Sequence, residues 1–150
     1  MSEENTIILP LSMIPGALVA IAARLFHQSL AQAQQHLGIA PAQFRILYQL
    51  WREDGLTQKD LVERLNIEQS TMGNTLSRME RDGLIERKPH PHDGRAQVLR
   101  LTKRAQDLKD PAIESAKWVN ERALSAFDED EKGQFIGLMQ KLLATLKEDL

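Results

Sequence analysis

Thr57–Gly83 reads TQKDLVERLNIEQSTMGNTLSRMERDG, and its punctuation defines two short helices joined by a tight turn. Thr57-Gln58-Lys59-Asp60 is a capping box. In that motif a threonine hydroxyl accepts a backbone N–H three residues on, and an acidic residue there reaches back. Leu61, Val62 and Leu65 then supply one apolar face before Asn66-Ile67 turns the chain. A second helix carries Met72, Leu76 and Met79 on one side, and Gly83 ends it as a C′ glycine does. Two short helices around a tight turn are the sequence shape of a helix-turn-helix.

Downstream, Leu84–Lys88 and Ala96–Thr102 have strand-like composition, with Pro89-His90-Pro91-His92-Asp93-Gly94-Arg95 between them. Asp93-Gly94 is a turn signal, and the prolines are expected to keep the loop out of regular pairing. A β-hairpin with a protruding tip after a helix-turn-helix is a wing. Upstream, Ile14, Leu18, Ile21 and Leu25 form one stripe of an amphipathic helix that runs towards Leu37, punctuated by Gly38 and Pro41. Phe44, Leu47, Tyr48 and Leu50 belong to a further helix that stops near Asp54-Gly55. Thr102 can cap a helix from Lys103, which Asp110-Pro111 must kink or restart. Asp128 caps a last helix, where Glu129, Asp130 and Glu131 suit the positive end of the dipole. Its stripe is Phe135, Leu138, Met139, Leu142, Leu143 and Leu146. The expected class is mainly α with a small β-hairpin wing, built as one interleaved domain. Residues 38–104 form the winged helix-turn-helix, and the N- and C-terminal helices in residues 1–37 and 105–150 form a helical dimerisation region.

With 150 residues, 42% hydrophobic and 27% charged, the chain can bury a real core and is not disordered. It has no cysteine, which excludes disulfides, thiolate metal sites and thiol-based redox sensing. Ala20-Ile21-Ala22, within the apolar stretch Leu11–Phe26, imitates a signal-peptidase site. The residues before that stretch carry Glu3 and Glu4 and no Lys or Arg, which is the wrong charge for a signal peptide. The stretch is also short against the ~20 residues of a membrane span, so a cytoplasmic protein with no membrane partner is expected. The net charge of −2 is unevenly spread: residues 55–104 hold ten Lys/Arg against seven Asp/Glu, the rest nine against fourteen. A nucleic-acid binder needs only one positive face, so the acidic remainder is no objection.

Opposite the apolar face of the second helix stand Gln69, Ser70, Thr71, Asn74, Thr75 and Arg78. Side chains of this kind reach base edges and phosphates in a major groove, although an ordinary solvated helix face has similar composition. Arg95 at the hairpin tip suits the negative potential of a minor groove. Arg87 and Lys88 flank the strand and are expected to meet phosphates, His92 is a further wing residue, and Asp93 is expected to pair with an arginine and fix the loop. A metal site at His90, His92 and Asp93 lacks a fourth ligand, and Pro91 disturbs its geometry, so no metal is expected. No nucleophile–base pair or phosphate loop stands at useful spacing, so neither enzyme activity nor a cofactor is expected. The outer helices carry apolar stripes that a head of roughly 65 residues cannot bury alone. A second copy would close them into a helical core and set two heads about one DNA turn, ~34 Å, apart. An intramolecular bundle would satisfy the same stripes.

These residues resemble the multiple-antibiotic-resistance regulator (MarR) family. Gly55–Ile67 is similar to the first helix of its reading head, and Ser70-Thr71-Met72 with Leu76–Arg87 to its recognition helix and first wing strand. Asp93-Gly94-Arg95-Ala96 resembles the family's D-x-R-A wing, and Leu101-Thr102 its return into the dimerisation helix. The resemblance implies a homodimer that binds double-stranded DNA at a pseudo-palindromic operator, often as a repressor. It implies that Arg95 reaches the minor groove and that a small anionic or aromatic effector releases the DNA. Oxidant sensing through cysteine, used by other members, is closed to this chain. Gly73 inside the recognition helix and Ala105, where the family commonly has glycine, depart from the pattern. No motif carries the effector residues over; His36, Arg45 and Trp51 are bare candidates. The alternative is a winged-helix protein-interaction module without specific DNA binding.

Overall fold

A proline in the first turn of a helix supplies the right φ and lacks an N–H that would have no partner there. α1 (Pro15–Gln34) and α2 (Pro41–Arg52) open on such a proline. The computed structural model describes residues 6–150; residues 1–5, including Glu3 and Glu4, lie outside the described residues. After α1, a 3₁₀ turn (Gln35–Leu37) leads to Gly38, whose φ of 70° reverses the chain into α2. α3 (Gln58–Leu65) ends at Asn66 with φ 51°, a left-handed cap that asparagine tolerates. α4 (Gln69–Arg81) follows at once. The ribbon of β1 (Ile85–Pro89) and β2 (Gln97–Leu101), α5 (Lys103–Asp107), α6 (Lys109–Ala123) and α7 (Glu129–Glu148) complete the chain. This is a mainly helical winged helix-turn-helix.

The head's core forms where the apolar faces of α2, α3 and α4 meet the root of the wing. Ile46, Leu47 and Leu50 of α2, Leu61 of α3, and Met72, Leu76 and Met79 of α4 are essentially sealed from water. Val62 and Leu65 reach only the edge of this cluster, so Leu61 alone anchors the short α3. Ala105 and Ala112 are also buried in it, which makes the cluster continuous with α5 and α6.

β1 and β2 pair antiparallel in the register Ile85↔Leu101 to Pro89↔Gln97. Pro89 is therefore a strand residue and not part of the loop, contrary to expectation. A two-stranded ribbon is nearly all edge, where proline is tolerated. On its other side β2 bonds back to the α2–α3 connection, Leu99 N–H to Leu56 O at 2.8 Å and Gly55 N–H to Leu99 O at 3.0 Å. Nothing in the local sequence around Leu56 signals this pairing. The helix after the wing breaks at Leu108, and Pro111 falls in the first turn of α6. Of the two outcomes expected at Asp110-Pro111, the helix restarts.

α1 packs along α6, and Gln34 at its end donates to Ala112 O at 3.0 Å. α7 has no buried residue. Phe135, Leu138, Leu143 and Leu146 remain exposed, as do Leu18 and Leu25 of α1 and Trp118 of α6. The chain thus leaves its outer apolar stripes open, and α7 does not close an intramolecular bundle over them. Among the described residues no helix is long and apolar enough to cross a membrane.

Two glycines predict opposite outcomes. Gly55 has φ 79°, and a Cβ there would stand 2.8 Å from the Arg100 guanidinium carbon. Gly55→Ala should destabilise by at least the ~1–2 kcal/mol of a left-handed non-glycine residue. Gly73 lies inside α4, and an added Cβ meets only Gln58 Nε2, at 3.4 Å. Gly73→Ala should therefore stabilise by roughly 0.5–1 kcal/mol. Denaturant unfolding of both variants checks the pair.

Candidate nucleic-acid interface

The start of α3 is fixed first. Asp60 N–H donates to Thr57 Oγ1 at 3.1 Å, and Thr57 N–H to Asp60 Oδ2 at 2.9 Å. The Thr57 backbone N–H is the main reason the Asp60 carboxyl lies below its ordinary range; burial opposes it, and the Thr57 hydroxyl, Arg64 and His90 assist. From this anchored turn Gln58 crosses to α4 and donates to Gln69 O at 3.3 Å. Gln58 thereby ties the first residue of α4 to α3.

On α4, Met72, Leu76 and Met79 point inward, while Gln69, Ser70, Thr71, Asn74 and Arg78 are exposed. Thr75 is half-buried, and its hydroxyl donates to Thr71 O at 2.9 Å, so its hydrogen is already spent within the helix. Beside Gln58 lies an open hollow of about 510 Å³. Thr57, Gln58 and Lys59 line it from α3, and Arg87, Pro89 and Gly94–Gln97 from the wing. Arg95 and the first turn of α4 therefore flank one continuous surface, with Gln58 between them.

At the wing tip Ala96 N–H closes a turn onto Asp93 O at 3.1 Å, and Arg95 is exposed. Asp93 does fix the loop, but not by an ion pair. Its Oδ1 accepts the backbone N–H of Arg95 at 3.0 Å, which leaves the guanidinium out of that contact. Arg87 and Lys88 lie within β1 instead of flanking it, each beside a carboxylate: Glu80 at 3.8 Å and Glu86 at 3.4 Å. His92 is exposed, its ring 6.2 Å from that of His90. Among the described residues, no group of three or more His, Cys, Asp or Glu is placed to hold a metal ion.

The far end of α4 closes on Gly83, as expected, and is held further by residues that carry no local signal. Gly83 N–H donates to Glu80 O and Leu84 N–H to Met79 O, a Schellman closure made possible by the φ of 73° at Gly83. Gln43 of α2 donates to Asp82 Oδ2 at 3.1 Å, Arg81 donates to Oδ1, and Arg104 of α5 donates to Asp82 O. Lys59 in the hollow was likewise missed. Its signal was a cation beside the capping threonine; Gln43 and Arg104 had none within reach of a local window.

A family model described as "MarR family" matches residues 37–96. The transcriptional regulator HosA of Escherichia coli O111:H- is 26% identical over 133 residues, covering 83% of this chain and 98% of its own. The uncharacterized HTH-type transcriptional regulator YdgJ of Bacillus subtilis is 26% identical over 113 residues, 75% of this chain and 66% of its own. The crystal structure of PcaV from Streptomyces coelicolor with its natural ligand superposes with a TM-score of 0.80 at 24% identity, covering 93% of this chain and 98% of that one. A MarR mutant from E. coli complexed with operator DNA gives 0.82 at 22%, covering 91% and 99%. At these identities the structural likeness speaks for the fold. Fold, family match and relatives define a transcriptional regulator of the winged helix-turn-helix class, and not an enzyme. The match over residues 37–96 and these relatives make the chain similar to the MarR family.

The Asp82 carboxyl is held below its ordinary range mainly by the Gln43 amide, with Arg81 and Arg104 assisting and burial opposing. A carboxyl lowered in the fold adds stability that is present above its ordinary value. That stability is lost as pH falls through the lowered one. Asp82→Asn should therefore lose less stability than the wild-type chain on acidification below about pH 4, measured by thermal unfolding across a pH series. Parallel curves would show that Asp82 does not hold the end of α4.

Proposed function

We propose that the chain is a sequence-specific, double-stranded-DNA-binding regulator of transcription, acting in the cytoplasm as a homodimeric repressor of a pseudo-palindromic operator. The observation that carries this reading is the continuous surface from the exposed face of α4, across Gln58, to Arg95. α4 enters the major groove with Gln69, Ser70, Thr71, Asn74 and Arg78 towards bases and phosphates, and Arg95 follows the adjacent minor groove. Residues 38–104 read the DNA, and residues 1–37 with 105–150 pair the two copies. The open stripes of α1 and α7 support that pairing, since a second copy can cover what the chain itself leaves exposed.

A small anionic or aromatic effector would release the DNA. A groove of about 380 Å³ between α2, α3 and α6 supports this reading, because Phe44 and Tyr48 offer aromatic faces while Arg45 and Lys117 offer positive charge. Of the bare candidates, Arg45 lines this groove. Trp51 instead donates to Ala105 O at 3.0 Å and so ties α2 to α5.

Selection of genomic DNA fragments on the purified protein, at two salt concentrations, tests the proposal. An inverted repeat should be enriched, with affinity falling steeply as salt rises, because bound phosphates release counterions. Arg95→Ala should bind that repeat about tenfold more weakly or worse, in line with ~1–3 kcal/mol for a groove-reading arginine. The variant should remain dimeric by sedimentation. No enriched sequence would favour a protein-interaction module, and unchanged affinity in Arg95→Ala would remove the wing from the mechanism.

A further inference from the structure

We infer that His90 is a positioning residue for Arg95, holding the wing tip in its reading conformation only while the imidazole is neutral. The inference rests on the reading that Arg95 contacts DNA. His90 Nδ1 stands 3.0 Å from the backbone N–H of His92 and 3.0 Å from that of Asp93. Both groups are donors, so Nδ1 must present a lone pair, and the ring's single proton then sits on Nε2.

The bonding runs from the ring to the arginine without a gap. Asp93, its N–H held by His90, turns its carboxylate onto Arg95 N–H at 3.0 Å. Asp93 O receives Ala96 N–H at 3.1 Å, and His90's own N–H closes on Ala96 O at 3.0 Å. Five hydrogen bonds thus close the loop from His90 to Ala96, and two of them end on one ring nitrogen. Pro89 and Pro91, which have no N–H, supply no substitute donors on either side of His90.

Protonation puts a hydrogen on Nδ1, facing two N–H groups. Both bonds are then lost, and the backbone of His92 and Asp93 must turn away, taking the Asp93 carboxylate from Arg95. The charged groups around the ring are Asp60 on α3, which is near enough to interact with it electrostatically, and His92 and Asp93 on the wing. Lys59 and Arg87 line the hollow beside Pro89, with Arg95. Asp60 attracts an imidazolium, but its Oδ2 already accepts Thr57 N–H. It also supplies no acceptor for the two freed wing amides. Acidification therefore keeps the charged ring near α3 while the tip loses its tether.

The full-length chain tests this in four forms: wild type, His90→Asn, His90→Ala and Arg95→Ala. Asparagine Oδ1 stands close to where histidine places Nδ1 and accepts at every pH. The DNA probe is the pool of genomic fragments that the wild type retains at about pH 8, assayed down to about pH 5.5 at constant ionic strength. At about pH 8, His90→Asn should match wild type, and His90→Ala should bind about three- to tenfold more weakly, the range expected for lost hydrogen bonds. Relative to His90→Asn, wild-type affinity should fall about three- to tenfold on acidification. Without DNA, the His92, Asp93 and Arg95 amide resonances should move together with the His90 ring titration, and stay still in His90→Asn. Coincident pH profiles for wild type and His90→Asn, or tip amides indifferent to the His90 titration, would overturn the inference. If Arg95→Ala binds like wild type, the wing reading itself fails. The amide titration then still decides whether His90 holds the tip.

Discussion

The carbonyls at the C-terminal end of α4 have to be satisfied somewhere, and the way they are satisfied sets the geometry of the whole reading head. Gly83, in the left-handed region, lets its own N–H and that of Leu84 fold back onto Glu80 and Met79. The chain then passes directly into β1. From the far end of the hairpin, Thr102 returns to the same spot, donating its hydroxyl to Gly83 O at 2.6 Å and its N–H to Leu84 O at 3.2 Å. Thr102 also caps α5 by accepting Ala105 N–H at 3.2 Å, and Arg104 of α5 donates to Asp82 O. Helix α4, the wing and the start of the outer helices therefore meet at one junction of Asp82, Gly83, Leu84 and Thr102. The angle between recognition helix and wing follows from it. Under the proposed function, a ligand between α2 and α6 would act on DNA affinity through this junction, because α5 is bonded both to it and to Trp51 of α2.

Electrostatics within the head are local. Lys59, Arg87 and Arg95 gather around the hollow between α3 and the wing, although the chain as a whole is acidic. Glu80 and Glu86 stand beside Arg87 and Lys88 at distances where exposed pairs contribute little to stability. Under the proposed function, phosphate would replace carboxylate as the partner of these two cations at low cost. Arg95 and Arg78, exposed and outside every ion pair among the described residues, need no such exchange.

What was legible in the sequence was local. The Thr57–Asp60 box, the Gly83 stop, the Thr102 and Asp128 caps and the Asp93-Gly94 turn are all made within a few residues, so residue type and spacing suffice to read them. The 3.6-residue rhythm of Met72, Leu76 and Met79 likewise told the inner face of α4 from its outer one. Contacts between distant residues were not legible. Leu56 beside Leu99, Arg100 against Gly55, Gln58 across to Gln69 and Arg104 on Asp82 depend on how finished elements meet. Asp93 was read as an arginine partner because charge suggests a charge; the nearer backbone N–H of Arg95 took that place. His90 showed only as a wing residue and a rejected metal ligand, because its two backbone bonds depend on how the loop closes and not on its neighbours' identities.

Under the proposed function, α4 and the wing form one DNA-reading surface, used twice by a symmetric pair. Hydroxyl-radical footprinting on a fragment selected by the protein tests it most directly. Two equivalent protected regions related by a dyad should appear, centred about one helical turn, ~34 Å, apart, with minor-groove protection beside each that vanishes in Arg95→Ala. A single asymmetric footprint, or one unchanged by loss of Arg95, would contradict it.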